Sequence, residues 1–101
     1  MVDERVRVVI TGMGAMTPLG ENPDEYWRNL TAGKSGIGPM TLCDPTGYPC
    51  QISGEVTGFD PSTYIADREA RRMARFTQLA VAAGLQAVES ASYDISKDDP
   101  Y

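Results

Sequence analysis

The sequence predicts an α/β fold built in layers, of which these 101 residues form only the opening part. Three observations lead there. The first is Val8-Val9-Ile10-Thr11-Gly12-Met13-Gly14-Ala15-Met16-Thr17-Pro18-Leu19-Gly20, where an apolar β-branched run stops at Thr-Gly-x-Gly and turns through Thr-Pro-x-Gly. Such a run reads as a strand buried on both faces, and its glycines let the backbone leave it sharply. The second is the stretch 79–88, apolar all the way round apart from Gln86, which reads as helix covered on every side by other elements. The third is the shortage of cover. Besides that helix the chain offers two strands and one short helix, and two strands rarely make a stable sheet.

The first strand is predicted over residues 6–11. Asn22 then reads as an N-cap, with Pro23 in the first helical position and Glu25 placed to complete a capping box. Tyr26, Trp27 and Leu30 supply an apolar stripe, and Gly33 suits the C′ position that ends a helix. Residues 34–39 read as loop, and 40–48 as irregular chain rich in turn formers. Weak alternation over 51–56 predicts a short strand. Asp60-Pro61 starts a brief helical turn through Tyr64-Ile65. Asp67 caps the longest element, a helix over about 68–92, and residues 93–101 form a polar tail.

With 42% hydrophobic and 23% charged residues the chain is globular in class and at most one domain. A net charge of −5 argues against general nucleic-acid binding. No apolar run is long enough to cross a bilayer, and residues 1–6 pass from charge straight into the first strand without a secretory signal. A cytoplasmic protein is expected. Cys43 and Cys50 flank Asp44-Pro45-Thr46-Gly47-Tyr48-Pro49 in a chain without histidine. Two thiolates alone do not close a zinc site, and a catalytic thiol would lack an imidazole base. Both cysteines read as small packing residues beside a turn, and no metal or cofactor site is expected.

The candidate functional residues are Arg68, Arg71, Arg72 and Arg75. In one continuous helix they fall within an arc of about 100°, opposite Ala70, Met73, Phe76, Thr77 and Ala80. Only Asp67 and Glu69 are near enough to neutralise them. Arginines in a first helical turn also oppose the macrodipole, at about 0.3–1 kcal/mol each where exposed. A solvated charged face and a docking site for an acidic or phosphate-bearing partner are therefore both open readings.

Three blocks carry a family resemblance. The glycine-bearing opening over 8–20 resembles that of beta-ketoacyl-ACP synthases, especially the type II elongating enzymes. The likeness continues through Trp27-Arg28-Asn29-Leu30-Thr31-Ala32-Gly33-Lys34-Ser35-Gly36-Ile37 and resumes at Glu69-Ala70-Arg71-Arg72-Met73-Ala74-Arg75-Phe76-Thr77-Gln78. It implies the N-terminal portion of a thiolase-like αβαβα fold, incomplete in this chain, with residues 1–101 inside the synthase N-terminal domain. It also implies decarboxylative Claisen condensation of malonyl-ACP with an acyl thioester. The family's nucleophilic cysteine and its two histidines lie farther downstream, so the chain alone should be inert. Arg68, Arg71 and Arg72 match positions that help dock acyl carrier protein in similar synthases, and Arg75 extends the patch. Ala74 departs from the pattern, since an acidic residue is common there in relatives. The resemblance further implies a homodimer at full length and no resident cofactor, because phosphopantetheine arrives on the carrier. Gly12 and Gly14 read as fold-forming.

Three other readings compete. A polyketide ketosynthase segment shares the opening block. A nucleotide-binding oxidoreductase also starts with a strand and Gly-x-Gly, but its third glycine would stand where this chain has Thr17. A small non-catalytic module binding an acidic partner through the arginine face should show one apolar stripe, not an apolar helix all round.

Overall fold

The computed structural model describes residues 5–97. Its elements are α1 (Pro23–Thr31), β1 (Ile37–Pro39), β2 (Ile52–Gly54), a 3-10 turn (Pro61–Thr63), α2 (Asp67–Ala70), α3 (Arg75–Ser90) and a second 3-10 turn (Ile95–Lys97). The expected polar tail extends into residues 98–101, outside the described residues.

α1 forms where its end signals place it. The Asn22 side chain accepts the Glu25 N–H at 2.8 Å, and Pro23 fills a first-turn position that needs no N–H. At the other end Gly33 takes φ +77°. Gly33 N donates to the Leu30 carbonyl at 3.1 Å and Lys34 N to that of Asn29 at 3.0 Å. Two orphan carbonyls are thereby satisfied in a Schellman arrangement. The 3-10 turn is capped in the same manner, with Asp60 accepting from the Ser62 N–H.

β1 and β2 pair antiparallel, with Ile37 opposite Gly54 and Pro39 opposite Ile52. The strand at 37–39 corrects the expectation of a loop: its glycine and proline carry no strand propensity, and the pairing with β2 creates it. The excursion over 40–51 is closed at its neck by Met40 N donating to the Gln51 carbonyl. Glu55 fastens it from outside, accepting from Thr41 N at 3.0 Å, Thr41 Oγ1 at 2.9 Å and Leu42 N at 2.8 Å. These bonds, chiefly the one from Leu42, hold the Glu55 carboxyl below its ordinary pKa. Cys43 and Cys50 are free and exposed on this excursion, so the reading of both as packing residues is corrected. They line a shallow cleft with Met40 and Tyr48 that stays open to solvent, and Cys43 Sγ lies 3.7 Å from Met40 Sδ.

The segment 6–11 has strand character in sequence but no ladder in the structure. Val8 is 91% exposed and Ile10 84%, because no described strand lies beside them. A strand exists only through its neighbours' hydrogen bonds, so an apolar β-branched run without one stays unassigned. The next residues do find a seat. Gly12 and Gly14 lie directly on α3, where a Cβ at Gly14 would stand 1.8 Å from the Ala83 carbonyl oxygen and one at Gly12 2.4 Å from that of Ala87. Only glycine allows two backbones this close.

The long helix expected over 68–92 is two helices. α2 ends at Ala70, Ala74 turns extended (φ −67°, ψ 158°), and α3 begins at Arg75. Asp67 sits inside α2 and Ala66 holds the cap position without a side-chain bond, so the capping role given to Asp67 is also corrected. The break is satisfied by Gln78, whose Nε2 donates to the Ala70 carbonyl at 2.9 Å.

Burial is thin. Phe59, Ile65, Ala70 and Ala82 make up the buried core, between the 56–70 segment and α3. Leu85 and Val88 on α3 remain about half exposed, so within this chain the helix is covered on one side only. The radius of gyration is 18.1 Å, against about 13 Å for a compact domain of this length. Accessible surface is 8346 Å², where a folded monomer of 11.0 kDa exposes about 5,600 Å². A freestanding module would not leave that much apolar surface bare.

Candidate functional site

The α2–α3 junction carries the four candidate arginines, and its geometry sorts them. Arg68 lies in α2, Arg71 caps its C-terminus, Arg72 follows in the turn, and Arg75 opens α3. They do not share one helical face, because the chain changes direction at Ala74. The turn is held by Arg71 N donating to Asp67 O, Arg72 N to Glu69 O and Met73 N to Ala70 O. Arg71 and Arg72 therefore stand at a helix C-terminus, where the dipole favours cations, and the expected electrostatic penalty there is absent.

Arg68, Arg71 and Arg72 are exposed, and among the described residues their guanidinium groups make no ion pair or hydrogen bond. Asp67 and Glu69 are close in sequence yet leave them unpaired. Arg75 behaves differently. Its Nη2 donates to the Val56 carbonyl at 3.0 Å and its Nη1 to that of Phe59 at 3.5 Å. Its Cζ stands 5.0 Å from the centre of the Phe59 ring, a cation–π contact.

Farther along α3 lies a polar hub with little forewarning in the sequence. Gln86, the one polar residue in the apolar stretch of α3, accepts the Ala15 N–H at 3.0 Å through Oε1. Its Nε2 faces the Tyr64 hydroxyl at 2.9 Å and the Glu21 carbonyl. Tyr64 in turn packs against Phe59, ring centres 6.3 Å apart. One side chain thus ties the glycine segment, the start of α1 and the 3-10 turn to α3. Its isolation among apolar neighbours was the available signal.

Two further places hold chemistry-bearing groups. A cleft of about 300 Å³ is lined by Thr17, Gly20, Glu21, Glu25 and Glu55. A second of about 240 Å³ is lined by Met40, Cys43, Tyr48 and Cys50. Among the described residues no three His, Cys, Asp or Glu side chains converge as metal ligands, and no helix is long and apolar enough to cross a membrane. Asp44 also lines the second cleft, and its Oδ1 accepts from the Thr46 N–H at 3.0 Å and the Thr46 hydroxyl at 2.6 Å.

This fold is shared. The chain superposes on the ketosynthase structure titled "The ishigamide ketosynthase/chain length factor" with a TM-score of 0.78 and 35% identity, covering 87% of this chain and 22% of that one. It is the N-terminal portion of a thiolase-like ketosynthase fold. Residues 5–100 match the family described as "Beta-ketoacyl synthase, N-terminal domain", and the chain belongs to that family. Among curated relatives it is similar to 3-oxoacyl-[acyl-carrier-protein] synthase 2 of Synechocystis, 43% identical over 93% of this chain. The protein of the same name from Staphylococcus aureus strain MRSA252 is 40% identical over 96%, and that of Vibrio cholerae 38% over 92%. The chain spans about a quarter of these relatives' length, 22–23%.

Proposed function

We propose that this chain is the opening section of a 3-oxoacyl-[acyl-carrier-protein] synthase, an acyltransferase that extends fatty acyl chains. The observation that carries this reading is the match of nearly the whole chain to relatives of that one name at about 40% identity. Those names favour fatty-acid elongation over the polyketide alternative. In the reaction an acyl group is held on a cysteine, malonyl-ACP loses carbon dioxide, and the resulting carbanion attacks the thioester. This section contributes no catalytic group: it has no histidine, and its two thiols sit on an exposed excursion. No resident cofactor is called for, since the phosphopantetheine arm arrives on the carrier. A cytoplasmic homodimer fits the same reading, in which further layers of the fold cover the bare faces of residues 6–10 and α3.

The contribution we assign to this section is carrier-protein docking through Arg68, Arg71 and Arg72. Three unpaired guanidinium groups on one turn of an otherwise acidic chain suit an acidic partner, and forked guanidinium donors suit its carboxylates. In the whole synthase, Arg71→Glu or Arg72→Glu is expected to raise KM for the acyl-carrier substrate about three- to tenfold. That rise should shrink as salt screens the surface. KM for a short carrier-free thioester is the comparison. Equal rises on both substrates would place these arginines in fold maintenance.

A further inference from the structure

We propose that Arg75 is a positioning residue that holds the arginine turn in its docking geometry and does not itself contact the carrier. The proposal rests on the docking reading above and divides its four arginines into three that present charge and one that fastens them. The carbonyls Arg75 grips lie 16 and 19 residues upstream, at Phe59 and Val56. Its guanidinium therefore closes a loop, and that loop contains the 3-10 turn, α2, Arg68, Arg71 and Arg72. Phe59, only 7% exposed, anchors the closure in the core, and the cation–π contact aligns the guanidinium on it. Gln78, three residues beyond Arg75 on α3, reaches back into the loop and holds the break by its bond to Ala70. An Arg75 so engaged has its planar fork committed to two carbonyls and one ring, whereas its three neighbours are free.

Lysine at this position keeps the charge but cannot reach two divergent carbonyls while lying flat on a ring. Loosening the closure leaves every docking charge in place and removes only its fixed position, so binding must then order the turn. The experiment compares Arg75→Lys, Arg75→Met and Phe59→Leu in the whole synthase, with Arg71→Glu as the reference. A positioning role predicts that Arg75→Lys and Phe59→Leu raise KM for the carrier substrate about threefold or more relative to the carrier-free thioester. The salt dependence of carrier KM should stay as steep as in the parent. Amide exchange at Arg72 and Met73, which bond Glu69 and Ala70, should quicken. A direct contact predicts the reverse: Arg75→Lys retains carrier KM, and Arg75→Met flattens the salt dependence without changing exchange. That result overturns the proposal. Unchanged exchange in Arg75→Lys overturns it as well, whatever the kinetics. If Arg71→Glu leaves carrier KM alone, the docking reading itself falls, and faster exchange in Arg75→Lys then marks a closure of purely structural use.

Discussion

Ala74 stands at the cap of α3 with nothing to offer the helix. Its backbone is already extended, as cap residues are, yet no side chain bonds the first-turn N–H groups. The positive end of the α3 dipole meets the positive charge of Arg75 in the first helical position. Ala74→Ser supplies the missing acceptor alone and should stabilise the first turn by about 1 kcal/mol. Ala74→Asp adds a carboxylate at the dipole's positive end, for a further 0.3–1 kcal/mol or about 1.5 kcal/mol in all. Since 1.4 kcal/mol is a factor of about ten, amide exchange at Gln78 and Leu79 should slow about fivefold in the serine variant and about tenfold in the aspartate one. The two variants then part company. Aspartate also places a negative charge among Arg71, Arg72 and Arg75, so carrier KM should rise for Ala74→Asp and stay put for Ala74→Ser. If serine slows no exchange, the α3 N–H groups are already satisfied and the reasoning fails. If aspartate and serine shift carrier KM alike, the turn's charge does not govern docking.

Other expectations follow from close contacts and from ionisation. Gly14→Ala forces a Cβ into the Ala83 carbonyl and should cost about 3 kcal/mol or more, whereas Gly38→Ala meets nothing within 4 Å; urea midpoints of the two should separate widely. Gln86→Leu orphans the Ala15 N–H and the Glu21 carbonyl in a partly buried place, a loss of about 2–3 kcal/mol visible as faster exchange at Ala15. Glu55, whose folded pKa is lowered, supports the 40–51 excursion fully above its ordinary value of about 4.5 and loses that support as pH falls through the lower folded value. Amide shifts of Thr41 and Leu42 should follow that acid titration, and Glu55→Ala should abolish it.

Much of this architecture can be read locally. The caps of α1, the left-handed Gly33 and the Asp60 turn each depend on residues within a few positions, and each stands where its signal lies. The α2–α3 break does not. Arg71, Arg72, Met73 and Ala74 are all good helix formers, and nothing among them forbids one straight helix. The break depends on Gln78 reaching back to Ala70 and on Arg75 reaching Val56 and Phe59, which are contacts of the fold and not of the segment. The same limit applies to the candidate arginines. Charge spacing identified four arginines, and only the three-dimensional chain shows that one of them is already occupied. At residues 6–11 the pattern predicted a strand that the structure does not assign, since a strand's partners are no property of its own sequence.

That unpaired segment has a consequence in time. The matched 94 residues are 23% of the Synechocystis protein, which puts a synthase of this kind at about 400 residues. At about 5–20 residues per second, a ribosome needs roughly 20–80 s to make a chain of that length. Until the elements that cover them are made, Val6, Val8, Val9 and Ile10 are a ready template for edge-to-edge pairing with a neighbouring nascent chain. Arg7 interrupts the run between Val6 and Val8, exposed, where two such segments in register would set like charges against each other. Its replacement by valine should leave the finished enzyme's activity intact while lowering the yield of soluble product, a burden borne entirely before the protein is complete.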